Sequence, residues 1–124
     1  MILRNSLYEI SAMEMRDGLP VYSISLNADC PIYKVHFPGS PVTPGVCIVQ
    51  MVEELLEDYL ERKVTLSEVK NVKFLYVLSP KETTNVECYF QAIEINDASH
   101  QVSVKASVSS TAHVFSTLSF VCNI

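Results

Sequence analysis

The sequence predicts an α+β domain in which about six antiparallel strands wrap a single long helix. Three observations carry that expectation. Apolar and polar residues alternate with the period of a half-buried strand in six separate segments. Only one segment repeats its apolar residues at helical spacing, and its first two turns are apolar nearly all round, as in a helix that is enclosed rather than resting on a surface. Short polar turns separate the later strands, as in an antiparallel meander. With 124 residues, a single domain spanning 1–124 is expected, since the chain can bury one core but not two.

In chain order, Tyr8, Ile10 and Ala12 mark the first strand, and Asp17-Gly18-Leu19-Pro20 turns it back. In the second strand Tyr22, Ile24 and Leu26 alternate with Ser23, Ser25 and Asn27. The helix is expected from about Pro44 to Arg62, with Ile48, Met51, Val52, Leu55, Leu56, Tyr59 and Leu60 facing inward. Thr43 suits its N-cap and Pro44 its first position. Val72, Phe74, Tyr76 and Leu78 give the third strand, closed by Ser79-Pro80-Lys81. Val86 to Ala92, Val102 to Val108 and Val114 to Phe120 give the last three, with Asn96-Asp97-Ala98-Ser99 as a turn between two of them.

Composition narrows the functional classes. An apolar fraction of 48% with 19% charged residues is that of a packed globular chain, and no apolar run reaches the roughly 20 residues of a membrane span. The first ten residues lack the apolar core of a signal peptide, so a cytoplasmic location is expected. Cys30, Cys47, Cys88 and Cys122 show no C-x-x-C spacing and read as reduced core thiols, which agrees with that location. The histidines and cysteines lack metal-ligand spacing, so no metal is expected. A net charge of -5 argues against nucleic acid, and Lys34, Lys70 and Lys73 read as solvated lysines.

The residues that carry chemistry gather ahead of the helix. His36 is followed by Phe37, Pro38, Gly39, Pro41, Pro44 and Gly45, which is two of the three glycines and three of the six prolines. The prolines fix φ at three nearby points and stiffen the segment, while glycine lets backbone approach a neighbour or ligand. Such a loop holds an imidazole beside helix N-terminal N–H groups. That pairing suits chemistry on a carbonyl, the imidazole moving a proton and the N–H groups stabilising an oxyanion.

These residues, HFPGSPVTPGV from His36 to Val46, resemble the signature of the hot-dog-fold 3-hydroxyacyl-carrier-protein dehydratases, H-F-P-G-x-P-x-x-P-G-V. The resemblance implies a long helix wrapped by an antiparallel sheet, and elimination of water from a 3-hydroxyacyl thioester. The substrate would ride on the phosphopantetheine arm of an acyl carrier protein, with no other cofactor. By this resemblance His36 is the base and the Gly45 N–H binds the thioester carbonyl. Phe37, Pro38, Gly39, Pro44 and Val46 would line the substrate site. A homodimer is implied, each site being completed by the partner's helix, and pairing with a paralogue is an alternative.

One position departs from the pattern. The family carries a catalytic Glu or Asp fourteen residues after the histidine, where this chain has Gln50. An amide can hold a hydroxyl but cannot supply a proton at useful rates. Four residues on, where the family commonly has glutamine, stands Glu54, so carboxylate and amide look exchanged along one helix face. Glu54 either reaches the site as the acid, through Gln50 or water, or joins Glu53, Glu57, Asp58 and Glu61 in a solvated helix end. Alternatively, His36 both takes the proton and returns it while Gln50 orients the hydroxyl. Two other functions stay open: a thioesterase that uses the same pocket to activate water, or that uses Cys47 beside the helix N-terminus as nucleophile if it is not a core residue, and a non-catalytic acyl-binding subunit. His100 and His113 read as solvent-facing.

Overall fold

The computed structural model describes residues 2–35 and 39–124. Six strands form one antiparallel sheet: β1 (Tyr8–Arg16), β2 (Leu19–Leu26), β3 (Thr65–Phe74), β4 (Asn85–Asn96), β5 (Gln101–Ser109) and β6 (Val114–Asn123), in the order β1-β2-β4-β5-β6-β3. The long helix, α2 (Gly45–Leu60), lies against the sheet. Met51, Val52, Leu55 and Leu56 are wholly buried among sheet residues that include Ile24, Cys88, Ala106 and Val108. This is the hot-dog arrangement. All four cysteines are buried and unpaired with one another, as core thiols.

The hairpin turns follow local chemistry. Arg16 pairs with Leu19, leaving a two-residue loop in which Asp17 and Gly18 both take positive φ (53° and 81°). That geometry matches the twist of the flanking strands, and Asp-Gly is a favoured pair for it. In the loop between β4 and β5, His100 takes a left-handed φ of 54° and its carbonyl accepts from the N–H of Ile124. His100 and His113 are both exposed.

Three expectations need correction. The third strand is not Val72 to Leu78 but Thr65–Phe74. It lies at the sheet edge with most residues exposed on both faces, so its first half shows little alternation, and residues 75–78 leave the sheet. Leu78 is buried by a different route, its carbonyl accepting from the Thr43 N–H at 2.8 Å. The helix cap is Pro44 rather than Thr43, with the helix running from Gly45 to Leu60. Thr43 is buried with its hydroxyl against that of Tyr33 at 2.9 Å. Tyr33 belongs to a short helix that periodicity did not reveal, α1 (Pro31–Val35), five residues being too few to set a pattern. Lastly, Val46 is 68% exposed, so the first turn of α2 is open on one side.

Candidate active site

Helix α2 starts abruptly because Pro44 is extended, with ψ at 144°. The Pro44 carbonyl accepts from Cys47 (2.9 Å) and Ile48 (3.2 Å), while the N–H groups of Gly45 and Val46 have no acceptor among the described residues. Both sit at the positive end of the helix dipole. Beside them opens an apolar groove of about 390 Å³, walled by Val42, Pro44, Ile48, Phe74 and Val77.

Phe74, the last residue of β3, lays its ring directly over Gly45. A Cβ built there would stand 2.6 Å from the ring, far inside contact distance. The aromatic wall continues outward, Tyr76 stacking on His113 with ring centroids 4.1 Å apart. Gly39 has a different reason: its φ is 96° and a Cβ there would meet nothing within 4 Å.

His36, Phe37 and Pro38 lie outside the described residues. The segments flanking them are pinned. Tyr33 on one side and Thr43 on the other are buried and joined through their hydroxyls, so the chain enters and leaves the histidine segment at fixed points. Burial raises the Tyr33 phenol to about 12, against a smaller lowering by Thr43.

Gln50 and Glu54 lie elsewhere on the helix. Five residues separate Gly45 from Gln50, about 140° around the axis at 3.6 residues per turn. Gln50 lines a second, polar groove of about 540 Å³ that shares no lining residue with the first. There Glu54 is not part of a solvated helix end. It is 8% exposed, and four donors converge on it. One oxygen accepts from the Leu3 N–H (2.8 Å) and Gln50 Nε2 (2.9 Å), the other from the Arg4 N–H (2.8 Å) and the Tyr8 hydroxyl (3.0 Å). Burial and the neighbouring Glu54 charge push the Tyr8 phenol far above its ordinary range. One turn on, Asp58 accepts from Tyr22 (2.6 Å) and Arg4 (2.8 Å), and Glu57 accepts from the Val64 N–H. Glu53 is held above the usual carboxylate range by burial and then by Glu57.

Sequence reading missed Phe74 as the wall over Gly45, and Leu3, Arg4 and Tyr8 as the partners of Glu54. Only the Phe74 role had a signal, a glycine in the first turn of a buried helix. Cys47 is buried, and burial followed by Cys30 pushes its thiol pKa up, away from a reactive thiolate.

A model of the ApeI-like family, described as ApeI dehydratase, matches residues 13–116. The chain belongs to the ApeI-like dehydratase family. Among curated proteins it is similar to the FabZ 3-hydroxyacyl-acyl-carrier-protein dehydratase of Clostridium acetobutylicum, 32% identical over 63 residues, covering 45% of each chain. It is also similar to the FabZ of Wolbachia pipientis wMel, 30% identical over 70 residues, covering 51% of this chain and 49% of the relative. The chain thus spans about half the length of the curated relatives it matches. Among solved structures, a chain of the dehydratase heterocomplex ApeI:P from Xenorhabdus doucetiae superposes with a TM-score of 0.69 at 17% identity, covering 93% of this chain and 96% of that one. An uncharacterized protein from Erwinia carotovora gives 0.55 at 17% identity, covering 90% and 87%. At these identities the likeness of structure speaks for the fold, and the ApeI-like family match spans most of the sheet that builds it.

Proposed function

We propose that this ApeI-like chain removes water from a 3-hydroxyacyl thioester carried on the phosphopantetheine arm of an acyl carrier protein. The observation that carries the reading is the start of α2, where the N–H groups of Gly45 and Val46 have no acceptor among the described residues and Gly45 lines an apolar groove. A thioester carbonyl seated there accepts from Gly45, and the helix dipole stabilises the enolate oxygen that forms as the α-proton leaves. The apolar walls suit the acyl chain. In this reading His36 is the base, a role taken from the family motif, with Phe37, Pro38, Gly39, Pro44 and Val46 lining the site. The hydroxyl is handled by Gln50.

Because Gly45 and Gln50 face different grooves, one copy of the chain does not bring them together, which supports a dimer in which each site takes Gln50 from the partner's helix. The exposed edge of β3, with Val69 and Phe74 about half exposed, offers a surface for such pairing. The Xenorhabdus relative was solved as a heterocomplex, so pairing with a paralogue is the second arrangement. The amide at position 50 favours one rival function, that of a subunit which binds acyl chains for an active partner.

Mass spectrometry of a 3-hydroxyacyl carrier protein incubated with the protein tests these readings. Loss of one water that disappears in His36→Ala is the expected result. An unchanged acyl chain on an intact carrier would sink the lyase in favour of the binding subunit, and a released acid would indicate a thioesterase; the burial of Cys47 speaks only against one with a thiol nucleophile.

A further inference from the structure

Resting on the reading just given, we propose that the hydroxyl of Thr43 is a second donor to the thioester carbonyl, beside the N–H of Gly45. Thr43 walls the apolar groove together with Gly45, and only the extended Pro44 separates the two. Among the described residues of that wall, only Thr43 and Tyr76 carry a polar side-chain atom. The family signature leaves position 43 open, so a hydroxyl at this point belongs to this chain and not to the motif.

Tyr33 and Thr43 meet hydroxyl to hydroxyl at 2.9 Å, both buried, and neither hydroxyl has another partner among the described residues. The pair holds two O–H hydrogens and one hydrogen bond, so one hydrogen is left without an acceptor. A buried donor in that position costs free energy until something accepts from it. The phenol is the stronger donor, because its oxygen shares electron density with the ring, and for the same reason the alkyl hydroxyl is the better acceptor. Burial raises the Tyr33 phenol to about 12, so it keeps its hydrogen at neutral pH. Tyr33 therefore donates to Thr43, and the spare hydrogen is the one on Thr43. Of the two residues, it is also Thr43 that walls the groove, where a ligand can touch it.

The backbone of Thr43 is held by its N–H, which donates to the Leu78 carbonyl at 2.8 Å. Its hydroxyl turns about the Cβ–Oγ1 bond, so the hydrogen can meet an oxygen in the groove while Oγ1 keeps the bond from Tyr33. A carbonyl oxygen has two lone pairs, and the Gly45 N–H and the Thr43 O–H can each take one. As negative charge gathers on that oxygen both bonds strengthen, and the bond from Tyr33 polarises the Thr43 hydroxyl further. Thr43 thus touches the substrate, and Tyr33 is a positioning residue behind it.

The test is infrared spectroscopy of an octanoyl pantetheine thioester carrying carbon-13 at its carbonyl. This probe has no 3-hydroxyl to lose, so it reports binding without turnover. On the wild-type protein its C=O band should move to lower frequency. Thr43→Val keeps the shape of the side chain without the hydroxyl, and part of that shift should vanish, while Thr43→Ser should restore it. With a 3-hydroxyacyl substrate, kcat of Thr43→Val should fall roughly a hundredfold, the size of one lost oxyanion donor, and Thr43→Ser should recover most of the loss. Because Thr43→Val strands the Tyr33 hydroxyl, Tyr33→Phe serves as the second variant should the first fail to fold. There the Thr43 hydroxyl remains but is no longer polarised, and the band shift should be smaller than in wild type.

A shift that is unchanged in Thr43→Val would overturn the proposal. So would a shift in Tyr33→Phe that is unchanged or larger, a larger one meaning that Thr43 had been donating to Tyr33 and was set free. A thioester that does not bind the wild-type protein overturns this contact together with the Gly45 seat. If the probe binds with a shift that depends on Thr43 but the 3-hydroxyacyl chain loses no water, the lyase reading fails and the contact stands.

Discussion

The two sides of helix α2 are built on opposite terms. At its N-terminus, toward Phe74, the surface is made of backbone and apolar carbon, and two N–H groups have no acceptor among the described residues. Toward the N-terminal segment, four donors meet the two oxygens of Glu54, and Asp58 and Glu57 are also engaged. Because an unmatched buried polar group costs free energy, the second side holds the molecule together and the first is left open for something else to bind. Stability and activity should therefore separate along this helix, and three perturbations probe how cleanly.

The largest effect is expected from Glu54→Ala, which strands the N–H groups of Leu3 and Arg4 and the Tyr8 hydroxyl. A loss of about 3 kcal/mol is expected in urea unfolding. A loss under about 1 kcal/mol would mean that the N-terminal segment simply turns to water, and that the closed side is less tightly built than its geometry indicates.

The next is graded by pH. The Tyr8 and Tyr22 phenols are both raised by burial and then by their carboxylate partners, Glu54 and Asp58. A raised value means the folded state holds the proton more tightly than the unfolded one. The stability they contribute is thus fully present below the ordinary tyrosine value near 10, and is lost as pH rises above it. Melting temperature should fall beyond about pH 10, and less steeply in Tyr8→Phe. Parallel curves for the two proteins would remove Tyr8 from this account.

The smallest change in stability is expected at the open side. In Gly45→Ala the new methyl displaces the Phe74 ring, which is half exposed and can swing outward, while alanine gains helix propensity of about 1 kcal/mol. Stability should stay within about 1 kcal/mol of wild type, whereas the proposed dehydration should fall sharply, because the methyl and the displaced ring reshape the proposed seat of the carbonyl. Full activity in Gly45→Ala would move that seat away from the helix N-terminus.

What the sequence disclosed follows the same division. Local periodicity gave the six strands and the enclosed helix, since alternation such as Val102, Val104, Ala106 and Val108 reports one buried face directly. It misplaced β3 because an edge strand with both faces exposed has no such pattern, and it missed α1 for want of length. The glycine-proline cluster flagged the start of α2, yet the ring that lies over Gly45, from a residue in β3, came only with the fold. Glu54 was the least legible. Its partners Leu3 and Arg4 lie 51 and 50 residues away, and nothing in a run of acidic residues on one helix marks which of them is buried.

The edge position of β3 also bears on how the molecule comes together in time. Strands β4, β5 and β6 follow one another through short loops and β1 joins β2 through two residues, so these pairings close small loops. By contrast β3 must find β6 across the whole β4–β5 hairpin, from Phe74 against Ser116 to Thr65 against Asn123, and β2 must find β4 across a longer stretch still, from Ser25 against Asn85 to Val21 against Tyr89. Contacts so distant along the chain form late, and an edge with one neighbour opens first. Hydrogen exchange should accordingly be faster in the edge strands β1 and β3 than in the inner four, and Phe74 stands at the end of β3. The wall of the apolar groove thus stands on an edge that forms late and opens early.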